Sequence, residues 1–552
     1  MILYFASKIA MMKLRNNFNL DTSGTNRKNL KIAVILGYIL IALNVVSGII
    51  LLPLITGSLG QSGYGIYSAA SSLVSMFLID LGLSNAATRF ISRYRVLKTQ
   101  KDIDSLISVI WRCFFIITGV IAILFVIFYF CLQFIYRSFT DFELSQFHIV
   151  YIMIAVSSVF CFPFNVIGGV LIAYDKAYLT RLADIISKII FIVATVICIV
   201  FNLGLYFMTA CFLLHSITGV LLKIIFSIKT IPLSPFVKVD KQTFKTILKD
   251  VLAYSIWTSI STYARTLMLS FMTTILGVTS PEGEGSAQIA IYSIAYQIET
   301  YVSYFSTSFG TIFYPEVSRR LYAGGQLTEE NKKNFGAFNL KVAHIQTIIL
   351  FIVCAGLLLC GNEFLQLWLV GDLKANHETI YFCILAICST AIFLYPLQVL
   401  ETALNTSGYI KYQALANLAG SIVAIALAFL LSYYWGAFGC CVAIAIGTVV
   451  RIIMLNIFGH KFIAFRIGEY HLKTYASFII PGAITIVFGL IIYKFLPQVS
   501  WLYFIIKVVA ISAVYAISLS IFGLNKYERD KTLGFLKKFE RKIKSLTGKV
   551  ME

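Results

Sequence analysis

The sequence predicts an all-α polytopic membrane protein of about 14 transmembrane helices, arranged as two parallel six-helix lobes with two C-terminal helices appended. Three observations predict it: the composition, the recurrence of long apolar runs, and an internal repeat. Hydrophobic residues make up 59% of the 552-residue chain and charged residues only 13%, with a mean hydropathy of +0.86. Soluble domains average roughly 45–50% apolar and about 25% charged, so too little polar surface exists here to wrap a water-soluble fold. Runs of the ~20 apolar residues that a crossing helix needs recur from Ile32 to Leu524 with short polar breaks.

The spans are expected at about 32–59, 65–90, 106–136, 147–172, 182–202, 204–227, 251–278, 288–316, 338–360, 379–403, 412–433, 436–458, 475–495 and 499–524. An even number puts both termini on one side. Of the 45 Lys and Arg residues, 38 fall on that side, three on the other (Arg137, Lys374, Lys494) and four within spans (Arg112, Lys188, Arg265, Lys507). The positive-inside rule then places both termini in the cytoplasm, in a cell inner or cytoplasmic membrane. This distribution also accounts for the +20 net charge without nucleic acid, through topology and attraction to anionic lipids. The stretch Met1 to Met12 is broken by Lys8 and reads as an uncleaved tail. Opposite the basic face the loops are short, which argues against a membrane enzyme of polysaccharide synthesis needing a folded exterior domain.

The repeat is carried by two matches that keep order and spacing. Ile66-Tyr67-Ser68 recurs 225 residues on as Ile291-Tyr292-Ser293, and Pro163-x-x-Val166 recurs 233 residues on as Pro396-x-x-Val399. Each pair lies six spans apart, so orientation is preserved, as in parallel-repeat transporters. The chain divides accordingly into a basic N-terminal tail (1–31), an N-lobe of spans 1–6 (32–230) and a partly amphipathic cytoplasmic linker (231–250). A C-lobe of spans 7–12 with the following basic loop (251–473), spans 13 and 14 (474–524) and a tail (525–552) complete it. In that tail Leu533, Leu536, Phe539, Ile543, Leu546 and Val550 alternate with lysines at helical spacing, as on a helix lying on a lipid surface or docking a synthesis partner.

The segments Leu59-Gly60-Gln61-Ser62-Gly63-Tyr64-Gly65-Ile66-Tyr67, Asp80-Leu81-Gly82-Leu83-Ser84-Asn85 and Arg89-Phe90-Ile91-Ser92-Arg93-Tyr94-Arg95 carry a resemblance. They resemble the opening of the polysaccharide transporter (Wzx-type oligosaccharide flippase) family of the multidrug/oligosaccharidyl-lipid/polysaccharide (MOP) exporter superfamily. Ile291-Tyr292-Ser293 and Phe313-Tyr314-Pro315-Glu316 are similar to the family's eighth helix. The resemblance implies a MATE-like fold and a flippase, a transporter and not an enzyme, that moves polyprenyl-pyrophosphate-linked repeat units of O-antigen, capsule or exopolysaccharide by alternating access. It implies a lipid-linked oligosaccharide as substrate, with polysaccharide polymerase and glycosyltransferases as prospective partners. One departure is that span 7, which in the family carries an acid and a base, keeps only the base in Tyr263-Ala264-Arg265. A multidrug or cation exporter of the same superfamily is the first rival.

A polar pyrophosphate head crossing hydrocarbon calls for fixed cations in a cavity, and the planar fork of Arg engages phosphate bidentately. Charges within spans cost roughly 2.5–3.5 kcal/mol at mid-helix and are functional candidates. Arg265 in span 7 and Glu299 in span 8 both approach mid-bilayer and either pair or line the cavity. Asp80 either caps, braces Asn44 of span 1, or accepts a coupling cation. Lys188 is a further cavity candidate. Arg89 and Arg112 lie near the cytoplasmic face, where they snorkel or guard the entrance, and Lys507 reads as structural or lipid-facing. The 11 cysteines and six histidines lack metal-ligand spacing, so no metal or redox site is expected. No nucleotide-binding glycine loop occurs, so an ion gradient (Na+ or H+), the membrane potential or substrate supply is the expected energy source.

Overall fold

A computed structural model describes residues 27–97, 99–232, 236–321 and 328–523. Both basic tails therefore lie outside the described residues, apart from 27–31. Every regular element among the described residues is helical. In chain order these are α1 (Arg27–Phe77), α2 (Leu83–Leu97), α3 (Gln100–Ile135), α4 (Asp141–Cys161), α5 (Val166–Ala173), α6 (Ala177–Val200), α7 (Gly204–Thr230), α8 (Lys241–Thr279) and α9 (Gly285–Leu321). They continue with α10 (Glu329–Trp368), α11 (Asp372–Ala375), α12 (His377–Cys388), α13 (Ala391–Leu394), α14 (Gln398–Thr406), α15 (Ile410–Ile463), α16 (Ile467–Phe495) and α17 (Trp501–Ser518).

Ten helical segments of the described residues are long and apolar enough to cross a membrane. Two of them, Ile32–Phe77 (46 residues) and Ile410–Ile463 (54 residues), are twice the length one crossing needs. Each contains a glycine off the helical torsions, Gly60 (φ 71°, ψ 175°) and Gly436 (φ 53°, ψ −132°), at the expected turns between spans 1 and 2 and between spans 11 and 12. A Cβ would strain those positive φ values. The helices α8 and α9 cover the expected spans 7 and 8 with 39 and 37 residues. They fall outside the ten because serines, threonines and the charges of interest dilute their apolar content. Asp240 caps α8 by accepting the Thr243 N–H at 2.8 Å, which holds its carboxyl below the usual carboxylate range.

The expected continuous span 2 is corrected. Helix α1 ends at Phe77, and five non-helical residues separate it from α2. Both repeat-related prolines sit at interruptions of the same kind, 3-10 turns at Phe162–Phe164 and Tyr395–Leu397. Proline lacks the N–H and crowds the preceding turn, so each breaks its helix at matching places in the repeat.

The chain forms two compact units. One gathers the described residues of Met1–Tyr304, Leu369–Ile387 and Gly408–Met454, and its interior holds Ile66, Ala69, Leu73, Tyr292 and Ile294. The other gathers those of Phe305–Trp368, Cys388–Ser407 and Leu455–Glu552, where Phe478, Tyr515 and Leu519 pack with Ile348, Phe351 and Ile352. Large apolar side chains such as Phe130, Val200 and Ile479 each stay 68% exposed. In water that surface would drive aggregation, and it is the surface that lipid covers.

Candidate functional site

Helices α8 and α9 run antiparallel from the short turn between Thr279 and Gly285. Arg265 lies fourteen residues before that end of α8, and Glu299 fourteen residues after the start of α9. At 1.5 Å per residue both stand about 21 Å from the turn, level with each other in mid-span. Arg265 Nη2 donates to Glu299 Oε1 at 2.7 Å. The side chains are 29% and 9% exposed, so the acid is enclosed while the arginine side chain is partly exposed. The turn of α8 that carries Arg265 is held from α15, where Asn417 Nδ2 donates to the Ser261 carbonyl and Oγ at 2.9 Å each and Ser421 Oγ donates to the Ala264 carbonyl at 2.7 Å. Tyr292 Oη ties α9 to the Leu269 carbonyl of α8 at 2.7 Å. The pairing and the partial exposure of the Arg265 side chain therefore coexist.

Asp80 occupies the break between α1 and α2. Its Oδ1 accepts the Gly82 N–H at 2.9 Å and its Oδ2 the Ser84 N–H at 3.3 Å, which is the capping arrangement. Tyr263 Oη accepts the Asp80 N–H at 2.9 Å and reaches the Leu78 carbonyl at 2.9 Å, so the break is held by the residue two before Arg265. Among the described residues no hydrogen bond joins Asp80 to Asn44, which is half-buried and whose carbonyl accepts Ser47 Oγ at 3.4 Å. Lys188 stands over the Phe191 ring of its own helix at 4.9 Å. Arg89 is exposed on α2. Arg112 donates to the Val237 carbonyl at 3.0 Å, Ser108 Oγ accepts the Val237 N–H at 2.9 Å, and Trp111 stacks on Phe236 at 5.8 Å. Arg112 thus fastens the linker to α3.

Three polar clusters escape the sequence reading. At the end of the first unit away from the basic loops, Ser62 and Ser286 both donate to Glu143 Oε1, and their hydroxyl oxygens lie 2.6 Å apart. Glu143 also caps α4 with Thr140, Gln61 Nε2 donates to the Ala287 carbonyl at 3.3 Å, and Asn376 Nδ2 donates to Gln61 Oε1 at 3.1 Å. Backbones close in at the same place, since a Cβ on Gly65 would overlap the Ser286 carbonyl. This seam binds spans 2, 4, 8 and 10 at one end. The sequence signal for it was the capping box Thr140-x-x-Glu143.

The second cluster lines a cavity of about 270 Å³ in the same unit, with Ser157, Asn165, Ser187 and His215 around an ion pair between Asp184 and Lys223 at 2.8 Å. Lys188 lies one turn beyond Asp184. In the second unit Lys507 Nζ donates to Glu363 at 3.0 and 2.9 Å and to the Gln498 carbonyl at 3.2 Å, while Tyr493 Oη donates to Glu363 Oε2 at 2.7 Å. Lys507 and Glu363 are 1% and 4% exposed, so Lys507 is structural and faces protein, not lipid.

Membrane-length helices with charges paired at mid-span define the class as a polytopic helical membrane protein. The model of the polysaccharide biosynthesis protein family matches residues 34–320, just over half of the chain, and the chain belongs to that family. No curated protein sequence matches it. Among solved structures it is similar to the lipid II flippase MurJ in an inward closed conformation, at a TM-score of 0.69 and 15% identity, covering 89% of this chain and 98% of that one. A multidrug resistance MATE family transporter of the MOP superfamily, inward-facing, matches at a TM-score of 0.60 and 14% identity over 84% of this chain and 98% of that one. A MOP superfamily transporter from Pyrococcus furiosus matches at 0.54 and 15% identity, over 79% and 95%. The fold is that of the MOP superfamily, and the chain is a multi-pass membrane protein.

Proposed function

We propose that this protein is a flippase that translocates polyprenyl-pyrophosphate-linked oligosaccharide repeat units across the cytoplasmic membrane by alternating access. The observation that carries the reading is Arg265, a permanently charged and partly exposed side chain at mid-span, paired with Glu299, in a member of the polysaccharide biosynthesis family. A guanidinium engages phosphate through two parallel N–H donors, so exchange of the Glu299 carboxylate for an incoming phosphate is the step this pair would allow. The Asp184–Lys223 cavity supplies hydroxyl, amide and charged groups of the kind that hydrogen-bond sugar hydroxyls. The Glu143 seam supports an arrangement closed at the exterior end, as one stage of alternating access requires. The fold similarity to a lipid II flippase supports a lipid-linked substrate. An ion gradient (Na+ or H+) or the membrane potential would drive net movement, with both termini in the cytoplasm.

The test is depletion of the protein in its own cell with two readouts. Surface polysaccharide should fall, and lipid-linked oligosaccharide should accumulate in the cytoplasmic leaflet. Undiminished polymer together with increased retention of a cationic dye would transfer the assignment to a cation exporter.

A further inference from the structure

A cleft of about 440 Å³ opens in the second unit where the start of α10 meets the chain reversal between α15 and α16. Four cations line it, Lys332, Lys333, Arg466 and Lys473, against two carboxylates, Glu329 and Glu469. The carboxylates are already engaged: Lys332 reaches Glu329 at 2.7 Å, while Arg466 and Lys473 reach Glu469 at 3.3 and 2.6 Å. The cleft therefore holds two positive charges more than its own acids neutralise. Lys332 is only 18% exposed, unusual for a lysine in the first turn of a helix, because it lies against the cleft wall.

The wall is built, not a loose surface. Ala464, at φ 55°, reverses the chain, His460 Nδ1 lies 2.9 Å from the Phe465 carbonyl, and the Phe465 ring packs 4.7 Å from Tyr470. Phe335 and Tyr470 are buried in the cleft lining, and among the described residues the Tyr470 hydroxyl has no hydrogen-bond partner. The rest of the lining is apolar, with Phe335, Ala337, Leu340, Ile463 and Phe465, so an apolar surface adjoins the charged one. The loops involved belong to the basic set that the charge asymmetry assigns to the cytoplasmic side.

We infer that this cleft binds the phosphate headgroup of an anionic phospholipid of the cytoplasmic leaflet, with its acyl chains against α10 and α16. A zwitterionic head would bring its own cation and leave the excess charge uncompensated. A diphosphate lipid such as cardiolipin matches the excess of two. Basic pockets between helices on the cytoplasmic side suit such heads, and the adjoining apolar face distinguishes a lipid from a free anion.

The test uses purified full-length protein in nonionic detergent, mixed in turn with cardiolipin, with phosphatidylcholine and with inorganic phosphate, and read by native mass spectrometry and thermal melting. Cardiolipin should be retained and raise the melting temperature, while phosphatidylcholine and phosphate should do neither. The double variant Lys332→Gln with Arg466→Gln should lower cardiolipin retention on the order of tenfold, two basic contacts being lost. Lys245→Gln with Lys249→Gln on α8 should leave it unchanged. Glu469→Gln, which removes a competing carboxylate, should raise retention, and this holds the inference to account if the double variant fails to fold. Equal retention by the wild type and the double variant, no gain from Glu469→Gln, or an equal effect of phosphate alone would each overturn the inference.

Discussion

Arg265 and Glu299 meet at 2.7 Å because each lies fourteen residues from the same interhelical turn, so an acid from span 8 partners the base of span 7. The acid absent from span 7 itself is supplied by the adjoining helix. Removing one member strands the other charge in a low-dielectric place, whereas removing both leaves a neutral contact.

Arg265→Leu alone should therefore destabilise the protein by about 3 kcal/mol, through loss of the cation beside the enclosed carboxylate, and lower its membrane abundance. Arg265→Leu with Glu299→Leu should restore abundance but not export, because the guanidinium proposed to meet the substrate is then gone. Arg265→Lys should export partially, an ammonium being a point charge without the fork. Membrane abundance and surface polysaccharide, measured together, check this. Full export by the abundant double variant would remove Arg265 from the mechanism.

The pair Glu363–Lys507 makes the contrasting case, since both members are almost fully enclosed and neither has a surface left for substrate. Lys507→Met should cost about 3–5 kcal/mol. Adding Glu363→Gln should recover most of that, because the amide oxygen still accepts from Tyr493 while the buried charge is gone. Melting of the purified variants measures the coupling. Export per molecule should be unchanged in the double variant.

The legible part of this protein was the part written in local pattern. The apolar runs marked where membrane-length helices lie, and counting along the chain gave the depth of Arg265 and Glu299, whereas the breaks at Pro163 and Pro396 fall inside spans 4 and 10, which were expected to be continuous. The break in span 2 was hidden because hydropathy does not register a non-helical turn inside an apolar run, and only Asp80 two residues before Gly82 hinted at a cap. Glu363 was read into an exterior loop because polar residues suggested that span 9 had ended there. Its helix runs on to Trp368, since a carboxylate can stay inside once Lys507, 144 residues away, neutralises it. Ser62 and Ser286 carried no signal at all, as a serine becomes informative only when folding brings it to a carboxylate.

The proposed sidedness rests on the sequence assignment of 38 basic residues to one face against three to the other. In intact cells a membrane-impermeant maleimide should label Lys374→Cys and leave Lys238→Cys untouched until the membrane is permeabilised. Labelling of Lys238→Cys from outside would invert the topology.

The seam around Glu143 gives a direct test of movement. Ser62 and Ser286 come from spans 2 and 8, which the repeat places at equivalent positions in the two halves of the chain, and their hydroxyl oxygens are 2.6 Å apart. Side chains that close can be bridged by a disulfide after Ser62→Cys with Ser286→Cys, since linked cysteines need Cβ atoms about 3.8 Å apart. If alternating access parts these helices at the exterior end, oxidation should trap the closed form and stop export, and a reductant should restore it. Each single cysteine variant should be indifferent to oxidant, which separates trapping from damage to the 11 native cysteines. Glu143→Gln should act in the opposite sense, because an amide offers one acceptor oxygen where the carboxylate offers two, and it should raise maleimide labelling of Gln61→Cys. Undiminished export by the oxidised, fully crosslinked protein would show that spans 2 and 8 stay together through the cycle.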